Sequence, residues 1–260
     1  MRKKKLPTFP FLKKDPFGNY IIIKRFLIGV VGAVTYPRYA LTNSMKIEGT
    51  EHIENLPNTN VIFLSNHQTY FADVIAFYHI FCSVKWHFKN TIKFPLYLLM
   101  PRVNNFYVAA EETMKDGGMI PRILSYAGAV TIKRSWRAQG HNVNRNVDEN
   151  AFEKIKLALK QGWVVSFPQG TTSPYAPIRK GTAHLIKQLN PIVVPVVING
   201  FRRAFDKKGL FYKKRGVKLE VKFKAPIVFP DNLTIDEIVE TVKEIIEQQN
   251  PEQHKKNPEN

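Results

Sequence analysis

Residues 61–77 read VIFLSNHQTYFADVIAF: a short apolar run from Val61 to Leu64, a polar turn, then a second and longer apolar stretch. A run of that length bounded by turn residues predicts a buried strand, and the longer stretch predicts a helix. His67 and Asp73 bracket the turn. In α/β sheets ligands collect beyond the carboxyl ends of the strands, so a histidine there is placed for chemistry in a way that a mid-helix histidine is not.

The layout recurs twice. Trp163 to Phe167 leads into Pro168-Gln169-Gly170-Thr171-Thr172-Ser173, and Ala129 to Ile132 leads into Lys133-Arg134-Ser135-Trp136-Arg137. If these strands are parallel, their polar ends share one rim, and His67, Gln169 to Ser173 and Arg134 surround one substrate. Further β-branched or aromatic runs predict strands at Met45 to Glu48, Val84 to Phe88, Phe106 to Ala109, Ile192 to Ile198 and Val217 to Phe223. Helices lie between them. Asn150 with Glu153, and Thr234 with Glu237, have the spacing of capping boxes. Phe152, Ile155, Ala158 and Leu159 form one apolar stripe, and Ile235, Ile238, Val239, Val242, Ile245 and Ile246 form another. The fold class is therefore α/β, a mostly parallel or mixed central sheet flanked by helices.

A chain of 260 residues with 44% hydrophobic side chains suits one domain with a small appendage and excludes disorder throughout. The lone Cys82 excludes an internal disulfide and a CxxC metal knuckle. Charge is uneven: the net +18 divides into −5 from Asp231 onward and +23 before it. The basic part faces an anionic partner, nucleic acid or anionic lipid. The amino-terminal segment favours lipid. Arg2, Lys3, Lys4 and Lys5 precede an apolar region whose longest uncharged stretch, Phe26 to Pro37, has twelve residues. A helix needs about 20 to cross a bilayer, so an interfacial or half-inserted helix is expected, with Phe9, Phe11, Phe17 and Tyr20 at the boundary. A buried core helix and a signal sequence are the alternatives. The expected division is 1–43, a basic, apolar membrane-associating segment; 44–250, the catalytic domain; and 251–260, a frayed tail.

Four blocks, in order, resemble those of the glycerolipid (lysophospholipid) acyltransferase family. They are Asn66-His67-Gln68 through Asp73; Gly128 to Arg134, fitting GxxxIxR; Phe167 to Ser173, similar to FPEGTRS; and Pro191 to Val196, similar to the family's proline-containing apolar block. Arg179-Lys180-Gly181 also stands where the family has a basic-glycine step. Together they cover Val61 to Ile198. Two departures matter. The family spacing is HxxxxD, whereas His67 to Asp73 is one residue longer. Gln169 and Thr172 stand where the family has Glu and Arg, which help hold the acceptor's glycerol phosphate. Losing that Arg removes a bidentate phosphate donor. Arg134, Arg137, Arg179 and Lys180 are the residues that could replace it, unless the acceptor differs.

The resemblance implies a single acyltransferase domain that moves a fatty acyl group from acyl-CoA or acyl-carrier protein to the free hydroxyl of a lysophospholipid. The first choice of acceptor is 1-acyl-sn-glycerol-3-phosphate, giving phosphatidic acid; a lyso-ornithine or lyso-glycine lipid is the alternative. It implies His67 as general base and Asp73 as the acid that orients it. It implies Asn66, Arg134, Gln169, Gly170, Thr171, Thr172, Arg179 and Lys180 around the substrates. No cofactor and no metal is expected, the thioester being a co-substrate. A monotopic position on the cytoplasmic face of the membrane follows, with membrane lipids, a lysolipid and a thioester donor as partners and no nucleic acid. There is no GxSxG elbow, and Cys82 lies in an apolar stretch, although Ser65 near His67 keeps a hydrolase in view. Phe88, Leu96, Leu98, Leu99 and Phe106 are available for an acyl groove, but structural core is the expected role of most of them. The clusters Arg202-Arg203, Lys207-Lys208 and Lys213-Lys214-Arg215 read as solvated surface or phosphate contacts. Two other classes compete: a nucleic-acid-binding module, which lacks the usual signatures, and a noncatalytic membrane-binding protein that keeps the fold.

Overall fold

A computed structural model describes residues 13–115, 118–133, 137–138, 141–142 and 149–249. Arg134 and the expected tail at 251–260 lie outside them. In chain order the elements are α1 (Ile21–Ala40), β1 (Ser44–Glu48), β2 (Val61–Ser65), α2 (Ala72–Val84), β3 (Asn105–Ala110), α3 (Glu111–Lys115), α4 (Met119–Tyr126), β4 (Ala129–Ile132), β5 (Arg137–Ala138), β6 (His141–Asn142), α5 (Glu149–Leu159), β7 (Trp163–Ser166), α6 (Lys180–Leu189), β8 (Ile192–Asn199), α7 (Phe201–Ala204), β9 (Lys218–Phe223) and α8 (Ile235–Ile245). β5 and β6 form a separate antiparallel pair.

The main sheet has the order β1-β9-β8-β2-β7-β3-β4. β8, β2, β7, β3 and β4 are mutually parallel, while β9 runs antiparallel to β8 and parallel to β1. The sheet is thus mixed. The carboxyl ends of β2, β7 and β4 share one rim, as the sequence pattern predicts. β2 is buried at all five positions, as expected of a central parallel strand covered on both faces. Alternate residues supply the two layers. Phe63 points into an aromatic cluster, its ring 4.6 Å from Phe81 and 5.2 Å from Trp163. Ile62 and Leu64 pack on the other face with Ile155, Leu185, Ile238 and Val242 from α5, α6 and α8. Each such buried side chain contributes roughly 1.5–3 kcal/mol relative to exposure.

Two sequence readings are corrected. Val84 to Phe88 is not a strand. The buried stretch from Ala72 continues as α2 to Val84, and the chain then turns, with the N–H groups of Trp86 and His87 donating to the carbonyls of Ser83 and Val84. An apolar run buried on every side has no face from which its period can be read. Asn150 is not the cap of α5, which starts at Glu149. The Thr234–Glu237 capping box is present in full on α8.

α1 has two unlike sides. Ile28, Thr35 and Tyr39 are buried, whereas Ile22, Ile23, Phe26, Val30 and Val34 are exposed. The helix is therefore both a core element and an apolar surface. No helix among the described residues is long and apolar enough to cross a membrane. Lys24, on the packed side, reaches Asn104 Oδ1 at 3.1 Å and lies 3.5 Å from the centre of the Phe106 ring. Burial, opposed by the charge of Asp15, lowers its pKa from 10.5 to about 7. Between those two values the unfolded chain holds the proton that the folded protein releases, so stability rises with pH across that window. Lys24→Met should abolish this rise. Melting curves of both proteins between about pH 6 and pH 9.5 check it; a constant gap in Tm would contradict it.

Candidate active site

β2 brings the chain to the rim, and Asn66 fixes where the strand ends. Its Nδ2–H donates to the carbonyl of Ile198 at 2.9 Å, and its Oδ1 accepts the Ile198 N–H at 2.8 Å. This side chain extends the β2–β8 ladder by one step and is engaged inside the fold. Asn66→Ala leaves the buried Ile198 N–H without its acceptor. It should lower stability by about 1–3 kcal/mol, read as a fall in Tm; an unchanged melting curve would refute the assignment.

His67 follows, and Asp73 faces it from the first turn of α2. Asp73 Oδ2 accepts the N–H of Gln68 at 2.6 Å and of Thr69 at 3.0 Å, and lies 2.9 Å from His67 Nδ1. Its Oδ1 accepts the Thr69 hydroxyl at 2.7 Å. A carboxylate at a helix amino terminus is also favoured by the helix dipole. The extra residue between His67 and Asp73 is absorbed here, because the lengthened turn folds its own amides onto the carboxylate that holds the imidazole. An ionised carboxylate only accepts, so His67 Nδ1 carries the proton and Nε2 keeps its lone pair. The ring stacks on Phe167, centroids 3.9 Å apart at 18°. Behind the turn, the N–H groups of Tyr70 and Phe71 donate to Lys207 and Lys208 carbonyls. Gly209 closes this contact at φ +78°, where a Cβ would come within 2.5 Å of the Ala72 nitrogen.

A cavity of about 850 Å³ opens at this rim. His67, Phe167, Gly170 and Thr171 line it, Lys133, Arg179 and Lys180 add positive charge, and Val108, Ile132, Phe152, Ile155 and Leu185 are among its apolar lining residues. None of the five residues available for an acyl groove lines it. Phe106 is buried against Lys24, Leu98 is in the core, and Leu96 and Leu99 are exposed. Position along β3 explains the case of Phe106: it lies near the amino end, whereas Val108, two residues on and on the same face, reaches the cavity near the carboxyl end.

Of the residues the sequence assigned to substrate, Gly170, Thr171, Arg179 and Lys180 line the cavity. Lys180 also bonds Asp236 at 2.7 Å. Gly170 has φ +64°, which explains the glycine, and its N–H is bonded to the Phe167 carbonyl. Gln169 and Thr172 are placed elsewhere. Gln169 is buried, and its Nε2 donates to the Ala176 carbonyl and to Gln248 Oε1, tying the loop to the segment that follows α8. Thr172 is buried too, and its carbonyl accepts Arg202 Nη2 at 2.5 Å. Arg134 lies outside the described residues. Sequence reasoning missed Thr69, the Phe167 stack and His184 in the lining; Arg202, read as solvated surface or a phosphate contact, instead supports the turn, its N–H reaching Gln68 Oε1 at 3.2 Å. His184 was open to inference, since it follows Lys180 by one helical turn.

Two other nucleophiles are accounted for. The Ser65 hydroxyl, fully buried, donates to the Asn66 carbonyl. Burial pushes the Cys82 thiol far above its ordinary range, which leaves it inert. Among the described residues no three His, Cys, Asp or Glu side chains are grouped as metal ligands.

The profile of the family described as Acyltransferase matches residues 44–199, more than half the chain. Comparison with curated proteins returns no match. Among solved structures the chain is similar to the 1-acyl-sn-glycerophosphate (LPA) acyltransferase PlsC from Thermotoga maritima, with a TM-score of 0.50 at 20% identity, covering 87% of this chain and 77% of that one. At this identity the likeness is one of fold.

Proposed function

Since this chain belongs to the acyltransferase family, we propose that it esterifies the free hydroxyl of a lysophospholipid with a fatty acyl group from a soluble thioester. The observation that carries the reading is the His67–Asp73 pair, 2.9 Å apart, at the rim of a cavity with both cationic and apolar lining. His67 Nε2 takes the hydroxyl proton as the oxygen attacks the thioester carbonyl. Asp73 stabilises the imidazolium. That attack forms the new C–O bond; the tetrahedral oxyanion then restores C=O and expels the thiolate by breaking C–S, and the thiolate recovers the proton from His67. Neither Ser65 nor Cys82 is needed as an enzyme nucleophile.

Lys133, Arg179 and Lys180 suit phosphate on either substrate. A phosphate-bearing acceptor, 1-acyl-sn-glycerol-3-phosphate, is the first choice, and phosphatidic acid its product. A lyso-amino-acid lipid is the second choice, favoured by Thr172 standing in place of an arginine. The exposed apolar side of α1 supports a peripheral position on the cytoplasmic face, where acyl-CoA or acyl-carrier protein is available. The test supplies purified protein with each donor and a panel of lysolipids, with products identified by mass spectrometry. An ester formed selectively from lysophosphatidic acid is expected. Transfer to an amino-acid lipid would move the assignment to the second acceptor, and no ester with any pair would leave a noncatalytic membrane protein.

A further inference from the structure

At the opposite ends of the same strands lies a second cavity, of about 420 Å³, that shares no lining residue with the first. It is formed where β3 and β7 begin, at Asn105 and Trp163, together with Ile21, Ile22 and Arg25 of α1, Asn58, Lys85, Arg102 and Lys13. Lys13, Arg25, Lys85 and Arg102 give it four cations, and none of its lining residues is acidic. Among the described residues none of the four is ion-paired. Lys85 is instead held 4.1 Å from the Trp163 ring centre and bonded to Asn58 Oδ1 at 2.9 Å. Arg102 lies 4.6 Å from the ring centre of Trp86, and Arg25 Nε reaches the Val103 carbonyl at 3.4 Å. Aromatic faces and carbonyls orient Arg25, Lys85 and Arg102 without neutralising them. Asp15, whose charge reaches Lys24, accepts from the N–H groups of Phe17 and Asn19.

Asn105 is the second observation. It is 1% exposed, and neither Nδ2 nor Oδ1 has a hydrogen-bond partner. A buried amide left without partners is costly, and here it borders a void lined by unneutralised cations. An anion with several acceptor oxygens would satisfy the amide donor and relieve the repulsion together. Two guanidinium groups favour phosphate over a single carboxylate.

We propose that this cavity is a phosphate-binding site, separate from the catalytic one, whose source is the headgroup of an anionic lipid. Ile22 supports the lipid source, since it lines the cavity and also belongs to the exposed apolar side of α1 with Ile23 and Phe26. A headgroup could enter while its chains lie along that side.

The test uses the full chain and no activity measurement, so its failure leaves the acyl-transfer reading standing. The side-chain amide signal of Asn105, identified by its loss in Asn105→Ala, is followed by NMR during titration with inorganic phosphate. A saturable shift is expected in the wild type, lost in Lys85→Gln/Arg102→Gln and kept in Lys218→Gln/Lys222→Gln, which removes equal charge from β9. Arg102→Gln alone stands in if the double variant does not fold. Flotation with phosphatidylglycerol and phosphatidylcholine vesicles then identifies the source. Affinity for the anionic vesicles should fall at least about tenfold more in the first variant than in the β9 control. Equal falls, with the phosphate shift intact, would overturn the lipid source and leave a site for soluble phosphate. An Asn105 signal indifferent to phosphate in the wild type would overturn the site.

Discussion

Replacing His67 with alanine should reduce kcat by about 10²–10⁴-fold, the usual worth of a positioned proton-transfer group. The protein should stay folded and keep its affinity for vesicles. In the proposed mechanism His67 acts on the hydroxyl proton, so the effect falls on kcat, whereas Lys133, Arg179, Ile132 and Phe152, which line the cavity, are untouched. KM for the lysolipid should therefore change little. Removing the ring also removes its stack on Phe167 and its bond to Asp73. The turn keeps its three bonds from Gln68 and Thr69 to that carboxylate, so the loss of stability should stay near about 1 kcal/mol. The decisive measurement is steady-state turnover with matched melting curves. Added imidazole should restore part of the rate if a base alone is missing. A kcat within a few-fold of wild type would remove His67 from the mechanism.

His67 and Asp73 were legible because a strand end, a turn and a helix start each leave a local mark, and the pair belongs to one such unit. The parallel rim was legible for the same reason: Val61 to Leu64, Trp163 to Phe167 and Ala129 to Ile132 each pass from apolar to polar at their carboxyl ends. What was hidden depends on contacts between distant segments. Asn66 looks like a substrate ligand in sequence, yet its partner is Ile198, 132 residues away. Gln169 stands in a substrate motif but bonds Gln248 across 79 residues. Its amide suits that buried place, where a carboxylate would meet the acceptor oxygens of Ala176 and Gln248. Leu98 and Phe106 take the core role expected of most of the groove candidates, since hydrophobicity marks a side chain for burial without saying against which layer. Lys24 shows the same limit, since its charge broke the apolar pattern of α1 in sequence although the side chain is buried among Asn104, Phe106 and Gly128.

Asp73→Asn is the sharper probe, because it keeps the shape of the side chain and changes only what it can accept and stabilise. Every hydrogen bond that Asp73 makes is donated to it. An asparagine has one oxygen to offer. If that oxygen takes the place of Oδ2, it keeps the Gln68 and Thr69 amides and the His67 Nδ1 proton, while its NH₂ meets the Thr69 hydroxyl, which can accept. The turn then survives, but the negative charge that stabilises the imidazolium is gone. If the amide adopts the other orientation, its NH₂ faces two backbone N–H groups and forces His67 to accept at Nδ1. The proton then moves to Nε2, and the base is lost. Both orientations lower kcat, by as much as about 10⁴-fold where the tautomer is wrong. They differ in stability: the first should cost about 1 kcal/mol, and the second about 1–3 kcal/mol more from repelled donors. Measuring kcat and Tm on one preparation separates them. Thr69→Val, which removes only the bond to Oδ1, should lower Tm with a far smaller effect on turnover. A near-normal kcat in Asp73→Asn at unchanged Tm would show that the lengthened turn has left the imidazole independent of this carboxylate, and the acid–base assignment would fall with it.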